Sequence, residues 1–368
     1  MKRSVIVLAA ATAVAAAGCE EKKTSSEVRT DAGADKYASA DPKLAKALQA
    51  AASASASADK GPPPDGILAP GAADQLHPRG APTKVDVVRE GATPGILLAA
   101  SGDGGAPAAT SAYGPAALSL GVQMGQRSAL PTLELGVQFG PAKKEEGGAD
   151  WLVGEVKRAR PAKEQLGSLP PGTDKDIAGL EGTTLRLKVT PDGLESDAQE
   201  QLAKGAAPEL DRLAQNAVEA LVFDTVPLPA KPVGVGGQWI AETRMPLSGM
   251  DVVAYRAYQL KSVDGDRLHL TLEVKAYAAT KDVQLAGLPK GATLQQFEAQ
   301  GQGELELVRG ESFARKSDIQ QHVVLVFAGP GGPQGQTQPG APSGNMMTAQ
   351  LQSHAQLVRG DDLRAALK

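Results

Sequence analysis

Two similar phrases, LSLGVQMG and LELGVQFG, begin fifteen residues apart and limit the fold of this chain more than any other feature. In both, every second side chain is apolar: Leu118, Leu120, Val122 and Met124, then Leu133, Leu135, Val137 and Phe139. Successive side chains of a β-strand point to opposite faces, so the alternation predicts strands with one buried and one solvated face. The short spacing predicts that the two phrases pair as antiparallel neighbours.

Further strands are predicted after residue 84, at 84–89, 151–158, 183–190, 238–245, 252–261, 268–278, 300–308, 313–327 and 346–358. The dipeptide Asp264-Gly265 between two of them is a strong hairpin signal. The predicted connections are local. This pattern is typical of a meandering antiparallel sheet.

One main helix is predicted to follow Pro208, which suits the first helical turn. Apolar residues recur there at helical spacing, from Leu210 to Val222, while Asp211 and Glu219 are assigned to the opposite, solvated face. Residues 196–204 could extend this helix towards the N-terminus. The expected fold is therefore mainly β with one main helix, a curved antiparallel sheet or half-barrel capped by an amphipathic helix.

The N-terminus has the composition of an export signal. Lys2 and Arg3 precede an apolar run at 4–17, which is shorter than the roughly 20 residues that span a bilayer. The sequence Ala16-Ala17-Gly18-Cys19 that ends the run resembles the lipobox of bacterial lipoproteins. The resemblance implies that residues 1–18 are removed and that Cys19, the single cysteine of the chain, carries fatty acyl chains such as palmitate. Several chains anchor a protein stably.

The expected location is the cell envelope, and the membrane is the first expected partner. An aspartate after the acylated cysteine retains enterobacterial lipoproteins at the inner membrane, but Glu20 stands here. This favours the outer membrane over the inner one. Removal of Lys2 and Arg3 takes the formal charge from −4 to −6, and an acidic chain without a basic patch is not expected to bind nucleic acid.

Composition divides the mature chain into a tether, one domain and a tail. Residues 19–83 are rich in Ala, Ser and Pro with few large apolar side chains, so a disordered tether is predicted behind the acylated cysteine. A single β-rich domain is predicted at 84–358. Inside it, residues 329–344 are a Gly- and Pro-rich segment, predicted to be a long mobile loop, and residues 359–368 form a tail.

The segment from Leu228 to Trp239, LPAKPVGVGGQW, is the most distinctive phrase of the domain. Its P-V-G-x-G-x-x-W pattern resembles a signature of bacterial lipoproteins of unknown function, and that family implies no activity or catalytic residues. The glycines permit positive φ or close approach of neighbouring backbone. A phosphate-binding loop has a strand before it and a helix after it, whereas here a helix precedes and a strand follows.

No enzyme signature occurs in the sequence, and an enzyme is not expected. His269, His322 and His354 fall on three different predicted strands without metal-ligand spacing. With one cysteine, a zinc site built from several cysteines is excluded. No metal and no cofactor are therefore expected. Convergence of the three histidines with a carboxylate would favour an enzyme instead.

Two non-enzymatic functions fit the sequence comparably well. The first is binding of a lipid or other apolar small molecule in the concavity of the sheet, with a hollow lined by Leu120, Val137, Leu187, Trp239, Leu270 and Val323. The alternative is a structural or interaction lipoprotein that tethers envelope proteins, for which we expect a packed interior and a partner on the outer face.

Overall fold

A computed structural model describes residues 63–98, 114–124, 128–129, 131–141, 151–189, 195–281, 292–328, 346–360 and 363. The predicted signal peptide, the predicted acylation site Cys19 and the predicted tether up to residue 62 lie outside the described residues. The same holds for the predicted loop at 329–344. These predictions stay predictions.

The described residues form one curved antiparallel sheet. Its strands are β1 (Lys84–Arg89), β2 (Gly114–Met124), β3 (Ser128–Ala129), β4 (Leu133–Pro141), β5 (Trp151–Pro161), β6 (Thr184–Val189), β7 (Glu195–Gln201), β8 (Gln238–Leu247), β9 (Met250–Asp264), β10 (Arg267–Ala278), β11 (Thr293–Val308), β12 (Lys316–Ala328) and β13 (Met346–Arg359). The spatial order is β1-β8-β9-β10-β11-β12-β13-β2-β4-β5-β6-β7, with β3 beside β2. The sheet is not closed. The mainly β, antiparallel class is confirmed.

The repeated phrases pair as the sequence predicts. β2 and β4 are antiparallel neighbours, with Leu118 opposite Leu135 and Leu120 opposite Leu133. All four of these leucines are buried. Because each phrase alternates strictly, a slip of one residue in either strand would turn its apolar row towards water, so the pattern fixes the register as well as the pairing.

Three helices accompany the sheet in the described part of the chain: α1 (Ala72–Leu76), α2 (Thr173–Ala178) and α3 (Asp211–Asp224). A 3-10 turn at Pro208–Leu210 leads into α3, as the helix signal at Pro208 predicts. The helix contacts β2, β6 and β7, and it shares one apolar core with the inner faces of the other long strands. The sheet therefore curves around α3. None of the described helices is long and apolar enough to cross a bilayer.

Two predictions for this region are wrong. Every side chain at 217–224 is buried, including that of Glu219, so the second half of α3 has no solvated face. Within 196–204, residues up to Gln201 belong to β7, which pairs with β6 through contacts such as Arg186 opposite Gln199. Pairing with a neighbouring strand outweighs local helix propensity here, because β-structure depends mainly on its tertiary context.

The folded domain begins earlier than the sequence predicts. Ile67 bridges to Ala278 of β10, and Leu68 is buried with Tyr255 on the outer face of the sheet. Asp74 of α1 forms an ion pair with Arg244 of β8. Residues 63–83 therefore cover the convex side of the central strands instead of forming part of a tether. The domain also ends one residue later than predicted, because β13 includes Arg359.

Candidate functional site

A cavity of about 260 Å³ separates α3 from the concave face of β2, β12 and β13. Leu120 and Val122 of β2 line it together with apolar side chains of the other two strands: Ile319, Val323, Leu325, Phe327, Ala349, Leu351 and Ala355. The opposite wall belongs to one face of α3. Gln215 and Val222 of α3 also line a second cavity of about 350 Å³, together with residues of β7, β8 and β9.

Solvent reaches this cavity. Val122, Gln321, Ala349 and Ser353 line it, and all four are only half-buried. Leu351, on the same strand as Ala349, is buried deeper. Small-molecule sites are typically concave, mostly apolar and provided with a few polar groups, and their volumes begin at roughly 300 Å³. The cavity is concave, mostly apolar and provided with a few polar groups, and its volume of about 260 Å³ lies just below that range.

Half of the polar residues that line the cavity belong to α3. Arg212, Asn216 and Glu219 line it with Ala220. Positions three and four residues apart share one face of a helix, so these side chains form a polar stripe opposite the apolar strands. Ser248, in the turn between β8 and β9, completes this wall and donates its backbone N–H to Oε2 of Glu219 at 2.9 Å.

Glu219 is the most unusual of these groups. Its side chain is only 7% exposed. Burial raises the pKa of its carboxyl to about 7, against the smaller opposing effects of the Ser248 backbone N–H, the Arg212 charge and the Gly249 backbone N–H, while Glu200 raises it further. A carboxyl with this pKa changes its charge near neutral pH.

A second buried carboxyl lies outside the cavity, at the end of α3. Asp224 is fully buried, and burial raises its pKa to about 7, although Ser317 and the Arg359 guanidinium favour its charged form. Arg359 in turn forms a buried ion pair with Glu311 at 2.5 Å. Asp224 therefore belongs to the packing between α3 and the ends of β12 and β13.

The two carboxyls give folding a defined pH dependence. The folded-state pKa of about 7 exceeds the ordinary values of 4.5 for Glu219 and 3.8 for Asp224, so the folded state holds more protons between these limits. We expect the free energy of unfolding to fall as pH rises from about 4.5 to about 7. Each of the two carboxyls contributes up to about 1.4 kcal/mol of this decrease per pH unit. Urea titrations across this range measure it.

The matched variants are Glu219→Gln and, at an exposed site in the turn before α3, Glu209→Gln. The first substitution removes one of the two titrating groups and makes the decline shallower. The second leaves the slope unchanged. A stability that is flat or rises between pH 4.5 and 7 would contradict the ionisation behaviour of both buried carboxyls.

The six residues predicted to line a hollow are all buried within the same core. The cavity brings together two of them, Leu120 and Val323. The other four lie elsewhere in the core: Val137, Leu187, Trp239 and Leu270. The residues of α3 that line the cavity were not among the predicted site residues. The signal for them was available in the spacing of the polar residues at 212, 216 and 219, which places them on one face of the helix.

Trp239 illustrates the difference between the core and the cavity. It is fully buried, it stacks on Tyr258 with ring centroids 5.4 Å apart, and its Nε1–H donates to the Pro227 carbonyl at 2.9 Å. The preceding glycines let the backbone approach residues 89–96. A Cβ on Gly234 would lie 1.7 Å from the Ala92 carbonyl oxygen. The motif is thus a tight structural junction at the start of β8.

The three strand histidines do not form a metal centre in the described part of the chain. His354 Nε2 lies 2.8 Å from Oδ1 of Asp318 on the solvated face. His269 is opposite Glu306 in the sheet register, and His322 is opposite Gln300. Within the described ranges no group of three or more His, Cys, Asp or Glu residues could hold a metal ion.

A scan against models of known protein families gives no match, and neither does a search of curated protein sequences.

Proposed function

We propose that this chain is a lipoprotein of the cell envelope, anchored through acylated Cys19, whose folded domain carries a single-chain apolar or amphipathic small molecule. The proposed ligand site is the cavity between α3 and the inner face of β2, β12 and β13. The single observation that carries this proposal is a solvent-reachable, mainly apolar cavity between α3 and the concave face of β2, β12 and β13.

The distribution of polarity around the cavity supports an amphipathic ligand. The strand wall offers leucine, isoleucine, valine and phenylalanine side chains, against which an acyl chain gains the free energy of apolar burial. The α3 wall offers a guanidinium, an amide and a carboxyl, which orient a polar end. A volume of about 260 Å³ suits one chain better than a phospholipid with two.

Ligand binding is tested by narrowing the cavity. Ala349 is half-buried at the cavity, so Ala349→Trp places an indole where the ligand would lie, whereas the next residue, Gln350, is exposed on the opposite face. We expect Ala349→Trp to weaken binding of a fluorescent fatty-acyl probe about tenfold or more, and Gln350→Trp to leave it unchanged. Fluorescence titration of the full mature chain, made without its lipid, measures the affinity.

The same protein, exposed to an envelope extract and analysed by native mass spectrometry, should retain a lipid-sized mass that Ala349→Trp loses. If the wild-type chain retains no small molecule and binds no probe, ligand carriage is wrong. That outcome would favour the alternative function, a structural or interaction lipoprotein, and the next search would be for partner proteins in the envelope.

Membrane anchorage has an independent test. We expect metabolic labelling with radioactive palmitate to label the wild-type protein and not Cys19→Ser, because the thiol is the attachment point that the lipobox resemblance implies. Two or more acyl chains anchor a protein stably, so the wild type should fractionate with membranes, and density separation should place it in the outer-membrane fraction. A Cys19→Ser protein that still carries label would refute the assigned attachment site.

A further inference from the structure

One cation of the cavity wall has no carboxylate partner in the described part of the chain. Arg212 of α3 is half-buried and lines the cavity. Its Nη1 donates to Oε1 of Gln215 at 3.2 Å, and no described carboxylate forms an ion pair with its guanidinium. Its Nε and Nη2 donate to no described residue, and neither is among the buried unpaired nitrogens of that part of the chain, so both reach solvent. A guanidinium presents such donors as a planar fork that matches a carboxylate.

The carboxyl of Glu219 lines the same cavity but is directed at the turn between β8 and β9. It accepts the backbone N–H of Ser248 at 2.9 Å, and the Gly249 backbone N–H also favours its charged form. Its Oε1 is buried and does not face the cavity. Burial raises the pKa of this carboxyl to about 7, so it is mostly protonated at about pH 6. At that pH the Arg212 guanidinium is the main charge of the cavity wall.

We propose that the ligand is a fatty acid, a single-chain anionic amphiphile, whose carboxylate pairs with the guanidinium of Arg212 while its chain lies along the inner face of β12 and β13. The assignment rests on the proposed function and specifies the charge of the polar end. Asn216 lies one turn further along the same face of α3 and is also half-buried at the cavity, so its side-chain N–H group can donate to the same carboxylate.

The charges of the wall favour an anionic head over a cationic or a neutral one. Arg212 repels a cationic head, and the Glu219 carboxyl is engaged by the turn between β8 and β9. A neutral head accepts a hydrogen bond from the guanidinium but lacks the opposite charge and the two parallel bonds that a carboxylate provides. Glu200 on β7 and the exposed Asp211 at the start of α3 oppose an anion, but neither lines the cavity, and burial raises the pKa of Glu200 as well.

A comparison of decanoate with decanol isolates the charge of the head, because both probes have the same number of carbon atoms. We expect Arg212→Met to weaken binding of decanoate about tenfold and to change binding of decanol by less than about twofold, since methionine keeps an apolar stem and removes the guanidinium. Isothermal titration calorimetry of the full mature chain, made without its lipid, measures both affinities at about pH 6, where decanoate is ionised. Retained binding of decanol also shows that the variant is folded.

Two further variants separate the charge from its geometry. Arg212→Lys keeps the positive charge but not the planar fork, so we expect an intermediate loss of decanoate affinity. Arg158→Met removes one positive charge from an exposed site on β5, outside the cavity, and should leave both affinities at the wild-type value.

Ionic strength gives a second readout on the wild-type protein. Raising it from about 0.05 M to about 0.5 M screens an ion pair that solvent reaches, so the ratio of decanoate to decanol affinity should fall several-fold in the wild type and should not fall in Arg212→Met. Equal losses of both affinities in Arg212→Met, or an unchanged decanoate affinity, would overturn the anionic assignment while leaving chain binding intact. Failure of the wild type to bind either probe or the fluorescent acyl probe would instead overturn the proposed function, and the anionic assignment with it.

Discussion

Replacing Arg256 by methionine is expected to lower the free energy of unfolding by about 3 kcal/mol. Arg256 lies on the inner face of β9 and is fully buried. Its Nη1 donates to the Val222 and Thr225 carbonyls at 2.9 and 3.1 Å, and its Nη2 donates to Oγ1 of Thr243 at 2.9 Å. The guanidinium therefore joins the end of α3 to two adjacent strands.

The magnitude follows from two opposing contributions. The last carbonyls of a helix have no partners within the helix, and a cation there also interacts favourably with the helix dipole. Each hydrogen bond from a charged donor contributes roughly 1.5–3 kcal/mol, and methionine removes all three. Removing a buried charge also removes its desolvation cost, which offsets part of this loss. The net effect remains large because the carbonyls stay buried.

Urea denaturation of the wild type and three variants measures the effect. Arg256→Lys keeps the charge but cannot span the same acceptors with one planar group, so we expect an intermediate loss. Arg158→Met, at an exposed arginine of β5, should change the stability by less than about 0.5 kcal/mol. A loss below about 1 kcal/mol for Arg256→Met would mean that α3 is held by apolar packing alone.

The sheet was predictable because its signals are local. Alternation at 118–124 and 133–139 fixes both the strands and their register, as the pairing of β2 with β4 shows. The hairpin at Asp264-Gly265 joins β9 to β10, and Gly265 has the positive φ of 58° that such a turn requires. The start of α3 near Pro208 follows from helical periodicity in the same way.

The errors arose where tertiary context decides. The first folded residues, at 63–83, carry few large apolar side chains, and composition alone assigns them to a tether. The outer face of β9 indicates that another segment covers it, because Val253, Tyr255 and Ala257 face outwards and are nevertheless buried. A strand that is apolar on both faces needs a cover on each, and α1 with its neighbours provides the outer one.

Glu219 was misassigned for a related reason. Helical periodicity places it beside Asp211 on the polar face, and a polar face is normally solvated. Because the sheet curves around α3, even the polar face of its second half is enclosed, and part of it borders a cavity instead of bulk water. The cavity depends on how far β12 and β13 lie from the helix, a distance that no local pattern specifies.

The largest single loss is expected for Trp239→Ala, about 4 kcal/mol, because truncation of a buried tryptophan removes apolar contacts and leaves a cavity. Trp239 is fully buried in the main core and contacts Tyr258 through stacked rings. Trp239→Phe keeps most of the ring but leaves the Pro227 carbonyl without its indole donor, so we expect a loss of about 1–2 kcal/mol. Trp151 lies at the start of β5, outside that core cluster. The corresponding substitutions of Trp151 are the matched controls for the Trp239 variants.

The Trp239 variants also separate packing from ligand binding. The sequence assigned Trp239 to the wall of a ligand site, whereas the residues that line the cavity are those of α3, β2, β12 and β13 with Ser248. If Trp239 serves packing alone, Trp239→Phe lowers the denaturation midpoint and leaves the affinity for the fluorescent acyl probe unchanged, the reverse of Ala349→Trp. A folded Trp239→Phe protein that loses probe affinity as strongly as Ala349→Trp would place the ligand deeper in the concavity, between α3 and β8, and would move the proposed site with it.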